Sequence, residues 1–177
     1  MQQPVLETER LRIRPLDIAD APRVHEFAGD IRVAQMTTHV PHPYPEGAAE
    51  EWIAMKTDDG AMAFAIADRD SNELIGVIGV HPESNGLAAE IGFWIGVPYW
   101  GRGYCTEAAR EILRHCFEDL GLQRVHAGHF TENVASGRVQ QKIGMRKEGM
   151  LRWGAVRFGK LKDLVKYGIV RPDWDQL

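Results

Sequence analysis

The stretch VPYWGRGYCTEA, residues 97–108, decides the fold of this 177-residue chain. It lies between a segment that predicts a strand, residues 88–97, and an apolar stripe that predicts the longest helix. Gly101 and Gly103 allow backbone N–H groups to approach an anion, and the start of the following helix adds a partial positive charge. The stretch therefore predicts an anion-binding turn that suits a phosphate. Taken alone, such glycines are also explained by the dihedral angles of a strand-to-helix turn.

Two common nucleotide motifs do not match this turn. The dinucleotide fingerprint requires a third glycine where this chain has Thr106, and the P-loop requires Gly-Lys-Ser/Thr, which is absent from the stretch. A different nucleotide-binding protein therefore stays an alternative, which binding of ATP or NAD in preference to coenzyme A would support.

The segments on either side of the turn predict a mixed sheet with helices. The predicted strands are residues 10–14, 61–67, 74–80, 88–97, 124–130 and 161–170. The predicted helices are residues 20–29 with Asp20 as N-cap, 46–56, 109–121 and 133–143. Because a long helix connects the strands at 88–97 and 124–130, these two are expected to run parallel and the others antiparallel. The proline-rich stretch 38–45 is expected to form a loop at the rim of a substrate site.

Composition limits the class of protein. A chain of 177 residues with 44% apolar residues is expected to form a single domain over residues 1–177. The net charge of -4 and 26% charged residues argue against disorder and against a nucleic-acid partner. No apolar run approaches the ~20 residues that span a bilayer, and residues 1–7 lack the pattern of a signal peptide, so no membrane association and a cytoplasmic location are expected. Cys105 and Cys116 are expected as free thiols.

Several motifs together resemble one family. Residues 100–108, WGRGYCTEA, resemble the pyrophosphate loop of the GNAT acyltransferase superfamily, in the form typical of its ribosomal-protein alanine N-acetyltransferase-like branch. Residues 133–136, NVAS, and 142–145, KIGM, are similar to the second motif of that branch. Both ends of the chain also look like this branch, in residues 9–15, Asp163 and Tyr167.

The resemblance implies a fold, an activity and a cosubstrate. The fold is α/β (α+β), with a mixed, mostly antiparallel sheet of about seven strands, flanked by helices and splayed between its parallel central strands. The activity is transfer of an acetyl group from acetyl-CoA to a primary amine by direct attack on the thioester. The resemblance assigns cosubstrate binding to Ile95, Gly96, Val97, Trp100, Gly101, Arg102, Gly103, Tyr104, Cys105, Thr106, Asn133 and Lys142.

The pyrophosphate motif departs from the wider superfamily at two positions. Trp100 stands where that superfamily has Gln or Arg, which is usual in this branch, and Cys105 replaces a small residue. If Cys105 distorts the turn, a non-catalytic module that binds or senses acyl-CoA is the alternative. Cys105 at a helix start is also a conceivable nucleophile, but no histidine or third orienting group can be assigned to it.

Acetylation of an amine requires a base, because most amines are protonated at neutral pH. Glu90 shares a strand face with Gly92, Trp94 and Gly96, where the glycines leave room for a ligand or a crossing helix. A solvated strand residue explains Glu90 equally well, but the resemblance favours the base. Asp163 is the rival, and its expected role is a structural hydrogen bond.

The leaving thiolate needs a proton donor, and Ser136 is predicted to supply it. A serine one turn into a helix can also bond back to a carbonyl, so this role depends on the resemblance. Asn133 is predicted as the N-cap of the same helix and, by resemblance, contacts the pantetheine arm. The alternative donors are Tyr99, Tyr104 and Tyr167.

The histidines give no recognised metal site. His39 with His42, or His126 with His129, lack a completing ligand, and the second pair lies at odd separation on a strand and hence on opposite faces. We expect no metal. The acceptor amine stays open between a peptide and a small molecule, and the oligomeric state stays open, with a homodimer as one option.

Overall fold

The computed structural model describes residues 3–55 and 62–177. The strands in these ranges are β1 (Leu6–Glu7), β2 (Leu11–Pro15), β3 (Met62–Asp68), β4 (Leu74–Pro82), β5 (Ala88–Ile95), β6 (Arg124–Phe130), β7 (Arg146–Arg157) and β8 (Lys160–Val170). The helices are α1 (Ala21–Gly29), α2 (Ile31–Ala34), α3 (Ala48–Met55), α4 (Tyr104–Arg114), α5 (Val134–Lys142) and α6 (Arg171–Trp174). Within the described chain, none of these helices has the length and apolar character needed to cross a membrane.

All eight strands belong to one sheet, in the order β1-β2-β3-β4-β5-β6-β8-β7. The pair β5 and β6 runs parallel, and the other neighbours run antiparallel. This confirms the predicted mixed, mostly antiparallel sheet and the parallel pair on either side of α4. The sheet has eight strands rather than about seven because it includes β1, whose two residues are too few to show an alternating pattern.

The core lies on both faces of the sheet. Along β3, Phe64 and Ile66 pack in the cluster that includes Ile112 of α4, whereas Ala65 between them packs in the cluster of α1 and α3. This alternation follows the period of two residues in a strand. Because both faces are covered by helices, β3 reads as a nearly continuous buried run.

The boundaries of the predicted elements are largely reproduced. The strand at 124–130 is found with the same ends, and the strand at 161–170 begins one residue earlier. Lys56, at the end of one predicted helix, and Ala61, at the start of one predicted strand, lie outside the described residues. The helix predicted up to Gly121 is α4 followed by a π-helical turn, His115–Asp119.

Asp20 occupies the N-cap position of α1, but its side chain makes no capping hydrogen bond there. Its carboxylate instead accepts two hydrogen bonds from Arg14, each of 2.8 Å, and one from the Asp17 backbone at 2.9 Å. The Asp17 side chain caps the preceding turn by accepting from Ala19 at 2.8 Å. The predicted cap is therefore wrong for the side chain of Asp20, because an ion pair to β2 uses both of its oxygens.

The long hairpin of β7 and β8 is a feature that the sequence pattern did not place. Nine residues of β7, 146–154, are exposed, so they show no alternation of buried and exposed side chains. The strand is irregular between Leu151 and Ala155. Asp163 of β8 stabilises this irregularity by accepting a hydrogen bond from the Trp153 backbone at 2.8 Å, which confirms the structural role expected for Asp163.

Candidate functional site

The two parallel strands separate near the middle of the sheet. They pair only at Ala88 with Arg124, Ala89 with Val125 and Glu90 with His126. Beyond Glu90, β5 continues to Ile95 and β6 to Phe130 without pairing to each other. The predicted splay is therefore present, and it leaves the edge of β5 free to accept an extended ligand.

A cavity of about 390 Å³ lies at this gap. Its walls come from β5 and β6, from the start of α5, and from α1, α3 and the loop after α2. The lining residues nearest to the gap are Ile91, Gly92, Phe93, Trp94, Gly128, His129, Asn133 and Ser136. A Cβ atom at Gly92 would meet no other atom within 4 Å, so this glycine keeps the β5 side of the gap open.

The glycine turn opens at the start of α4. Gly101 and Gly103 have φ angles of +74° and +82°, which favour glycine. Gly103 is the N-cap residue of α4 and provides no side chain to bond the first amides of the helix. A Cβ at Gly101 would also meet no atom within 4 Å, so the turn has room for a bulky group. These features fit the pyrophosphate of coenzyme A.

Glu107, which lies in the motif, links the turn to the segment just before β2. It accepts hydrogen bonds from Thr8 Oγ1 at 2.6 Å, from the Arg10 backbone at 2.9 Å and from Arg10 Nε at 2.8 Å. Burial opposes its charge, but these hydrogen bonds prevail and hold the pKa of Glu107 below its ordinary value. Arg10 also donates to the carbonyl of Arg102 at 3.0 Å. The turn is thus fixed by residues about a hundred positions earlier.

The predicted binding residues between β5 and the turn have different surroundings. Ile95 accepts a hydrogen bond from Trp100 Nε1 at 2.7 Å, which fixes the indole over the end of β5. A Cβ at Gly96 would lie 2.8 Å from the ring of Phe27. Gly96 therefore makes room for helix α1, whereas Gly92 makes room for the cavity. Val97 is half-buried and begins the short turn that leads to Trp100.

The first turn of α4 contains Tyr104, Cys105 and Thr106, all half-buried. Cys105 packs against the core beneath the helix, and burial raises the pKa of its thiol to about 12. A protonated, packed thiol is a poor nucleophile. The Tyr104 ring lies under the Arg10 guanidinium, 4.6 Å from its centroid. Lys142 is exposed in the last turn of α5.

The start of α5 carries two predicted site residues. Asn133 is confirmed as the N-cap, because its side chain accepts from the Ser136 backbone at 3.2 Å. Its amide also donates to the Met36 carbonyl at 3.5 Å and so contacts the loop after α2. Ser136 lines the cavity, and Gln140 Nε2 donates to its Oγ at 3.4 Å. Gln140 is 1% exposed and was missed, although it is a polar residue in a short amphipathic helix.

Glu90 lies at the fork where β5 and β6 separate. Lys166 Nζ donates to its carboxylate at 3.0 Å, and His126 Nδ1 lies 4.0 Å away. The side chain is 44% exposed, on the strand face that Gly92 and Trp94 also share. Glu90 is not among the residues that line the cavity, and its role as base stays a prediction.

The alternative donors have partners of their own. The hydroxyl of Tyr167 accepts from Gln141 Nε2 at 2.8 Å, and the hydroxyl of Tyr99 accepts from Arg23 at 3.4 Å. Neither tyrosine lines the cavity, whereas Ser136 does. Ser136 therefore stays the preferred candidate among the predicted proton donors.

His129 lies in the wall of the cavity, although the sequence raises it only as a metal ligand. Its Nδ1 lies 2.8 Å from the Phe130 carbonyl, and its Nε2 is buried without a hydrogen-bond partner among the described residues. A Cβ at position 137 would lie 2.7 Å from this Nε2, so Gly137 makes room for the ring beneath α5. His126, on the opposite face, bonds to Glu83 at 2.8 Å.

Arg157 is a second residue that the sequence did not reveal. It is 7% exposed at the end of β7, and its guanidinium donates to the backbone carbonyls of Ala34, Thr38 and Val40. Burial lowers the pKa of Arg157. Thr38 and Val40 lie in the loop that forms one wall of the cavity, and Ala34 is the last residue of α2, just before that loop. A residue more than a hundred positions away therefore shapes the loop.

A helix start that suits an anion, next to a splayed pair of strands, is typical of one class of protein. This class is the acyltransferases that take their acyl group from acyl-coenzyme A. The family model for the acetyltransferase (GNAT) domain matches residues 10–146. The chain belongs to this family. Acetyl-CoA is its cosubstrate, and its activity is that of an N-acetyltransferase.

Individual relatives agree with this assignment over nearly the whole chain. The uncharacterized N-acetyltransferase YnaD of Bacillus subtilis is 31% identical over 171 residues, which cover 96% of this chain and 99% of the relative. The [ribosomal protein uS5]-alanine N-acetyltransferase of Escherichia coli is 26% identical and covers 96% and 92%. The crystal structure of a GNAT acetyltransferase from Bacillus anthracis has a TM-score of 0.86 and 29% identity, covering 94% and 98%.

Proposed function

We propose that this chain transfers the acetyl group of acetyl-CoA directly to a primary amine in the gap between β5 and β6, with Glu90 and Ser136 moving the protons. The observation that carries the proposal is the separation of these two strands after three residue pairs, with a cavity at the point of separation. The C–S bond of the thioester breaks, a C–N amide bond forms, and coenzyme A leaves as the thiol. The thioester supplies the activated acyl group.

The cosubstrate side is built from the turn and from α5. Backbone amides of residues 101–105 would bind the pyrophosphate, helped by the partial positive charge at the start of α4. The free edge of β5 and the amide of Asn133 would hold the pantetheine arm, and the exposed ammonium of Lys142 would face the nucleotide end. Holding both reactants in attack geometry contributes most of the rate.

The proton leaves the amine towards Glu90, directly or through one water. Lys166 Nζ donates to the Glu90 carboxylate at 3.0 Å and so orients it at the fork, where it can accept a proton. On the other side of the gap, the Ser136 hydroxyl accepts from Gln140 and so has its own proton free to donate to the sulfur. The base then lies on β5 and the acid at the start of α5.

The N-terminal amine of a protein is the second candidate acceptor, because the Escherichia coli relative is named for acetylating alanine of ribosomal protein uS5. We also propose a cytoplasmic location, which two free cysteines support. A homodimer stays a prediction.

The Ser136→Ala variant tests the proposal through release of the coenzyme A thiol in the presence of an amine panel. We expect kcat to fall by about 10²-fold, because a proton donor to the leaving group acts mainly in the transition state. The dissociation constant for acetyl-CoA should stay within about twofold, since the hydroxyl gives little ground-state binding.

The melting temperature of the same variant separates chemistry from structure. A lowered melting temperature with near-normal turnover means that Ser136 is structural, and the proposed acid is then wrong. Absence of thiol release by the unmodified protein with every amine contradicts the proposed reaction itself.

A further inference from the structure

The acceptor end of the cavity is lined by aromatic and apolar side chains. Tyr44, Trp52 and Trp94 form one wall with apolar residues of α1 and β4, and Phe93 precedes Trp94 on β5. The polar groups in the wall are neutral amide and hydroxyl groups and imidazoles. Among the described residues that line this cavity, none is Asp, Glu, Lys or Arg.

We infer that the acceptor is a small primary amine whose body is an uncharged aryl or alkyl group. The inference rests on the proposed function, since it names the substrate class for the same site. Aromatic walls stabilise an apolar or aromatic body by burial and ring stacking. The cavity of about 390 Å³ also has to hold the thioester end of the cosubstrate, so its volume suits a small acceptor body.

Charge on the body of the acceptor is disfavoured by the same wall. A second ammonium that enters this cavity loses its hydration and finds no carboxylate among the described lining residues, and a carboxylate finds no lysine or arginine there. Two charged groups close to this site are already used. Glu90 pairs with Lys166 outside the cavity lining, and Arg157 is bonded to three backbone carbonyls behind the loop.

The wall also helps the reacting amine itself. Burial among apolar groups disfavours the ammonium form and so increases the share of the neutral, nucleophilic amine. The aromatic faces still allow a protonated amine to enter, because they attract a cation without pairing with it. The acceptor amine thus enters the cavity as a cation and reacts as the neutral nucleophile.

Two matched pairs of amines test this class with the unmodified enzyme. Pentylamine and 1,5-diaminopentane differ by one ammonium, and 2-phenylethylamine and phenylalanine differ by one carboxylate. We expect kcat/KM to fall by about 10-fold or more for the charged member of each pair, the result of burying an unpaired charge. Equal or better use of the charged members overturns the inference. So does a preference of 10-fold or more for a peptide with an apolar N-terminal residue over 2-phenylethylamine.

A charge placed at the rim tests the reason for the preference. Thr38 is an exposed wall residue, and its carbonyl is held by Arg157, so its side chain can be changed while the loop keeps its anchor. Thr38→Glu adds a carboxylate, and Thr38→Gln adds a neutral group of the same shape. The ratio of kcat/KM for 1,5-diaminopentane over pentylamine should rise about 10-fold in Thr38→Glu relative to Thr38→Gln.

An unchanged ratio between the two Thr38 variants contradicts an acceptor cavity at this wall. This failure differs from failure of the proposed function, in which no amine of either pair releases coenzyme A thiol. If the protein acetylates the charged and uncharged members of each pair equally well, the proposed function holds and the inferred substrate class is wrong.

Discussion

The two sides of the gap differ in how the chain builds them. The pyrophosphate end of the proposed cosubstrate site is one contiguous turn, residues 97–108, whose glycines and helix start present backbone amides. One wall of the proposed acceptor site is a loop after α2 that is held by Arg157 from β7 and by Asn133 from α5. The conformation of the turn follows from its own glycines, with an anchor from Glu107 to Thr8 and Arg10. The position of the loop depends on contacts between distant segments.

This difference explains why the sequence identifies the family but does not identify the acceptor amine. Backbone amides can bind a pyrophosphate through the shape of a turn alone, so the turn needs only positive φ angles and space. The acceptor wall is made by side chains from several elements, and its shape exists only after the sheet has formed. We therefore expect specificity for the acceptor to reside in the part of the molecule with the weakest sequence signal.

Replacement of the proposed base should have the largest effect, because Glu90 lies at the fork that joins both sides. Glu90→Gln keeps the shape of the side chain and removes its ability to accept a proton. We expect kcat/KM to fall by roughly 10² or more at neutral pH. Raising the pH should recover part of this loss, because more of the acceptor amine becomes neutral without help.

Lys166→Met provides the matched control for Glu90, because it removes the ion pair and leaves the carboxylate. Turnover in this variant should fall less than in Glu90→Gln. If Glu90→Gln retains normal turnover across the pH range, the base is a water chain or another group, and Glu90 is a strand residue at the edge of the gap.

On the cosubstrate side, Gly103→Val should weaken acetyl-CoA binding without touching the acceptor wall. Valine is strained at a φ of +82°, and its branched side chain obstructs the approach to the amides of α4. We expect the dissociation constant for acetyl-CoA, measured by calorimetry, to rise by about 10-fold or more, because losing the amide contacts costs about 1.4 kcal/mol of binding free energy or more.

Gly86→Val separates strain from loss of the site. Gly86 also has a positive φ, +67°, with no atom within 4 Å of a Cβ, but it lies in the turn between β4 and β5. This variant should lose comparable stability and keep its affinity for acetyl-CoA. If Gly103→Val folds and binds acetyl-CoA normally, the pyrophosphate site lies elsewhere.

The fold was predictable wherever burial alternates with the period of an element. The strand at β6 and the parallel pair follow from apolar spacing and from the long helix between them. The strand β7 was not predictable, because its first nine residues are exposed on both faces and hold their place through pairing with β8. The Asp20 cap was wrong because Arg14, on another element, takes the carboxylate.

The candidate site also has one part that the sequence predicts and another part that it does not. The turn and the start of α5 follow from motifs and cap geometry, and Asn133 and Ser136 are found close together at the cavity. Arg157 was missed because its partners lie more than a hundred residues earlier in the chain. Gln140 and His129 bond to residues close in sequence, and what the sequence does not show is their burial beside the cavity, which only the folded sheet creates.

The smallest expected effect tests the acceptor side, where Arg157→Lys should disturb the loop without abolishing the site. A lysine keeps the positive charge but lacks the planar fork that reaches three carbonyls in different directions. We expect KM for the acceptor amine to rise about fivefold, the cost of weakening one or two hydrogen bonds, while KM for acetyl-CoA stays constant. Arg152→Lys, an exposed change on the same strand, is the control and should leave both values unaltered. A parallel rise of both KM values in Arg157→Lys means that the two sides are not built independently, because the loop then also supports the cosubstrate through Asn133 and Met36.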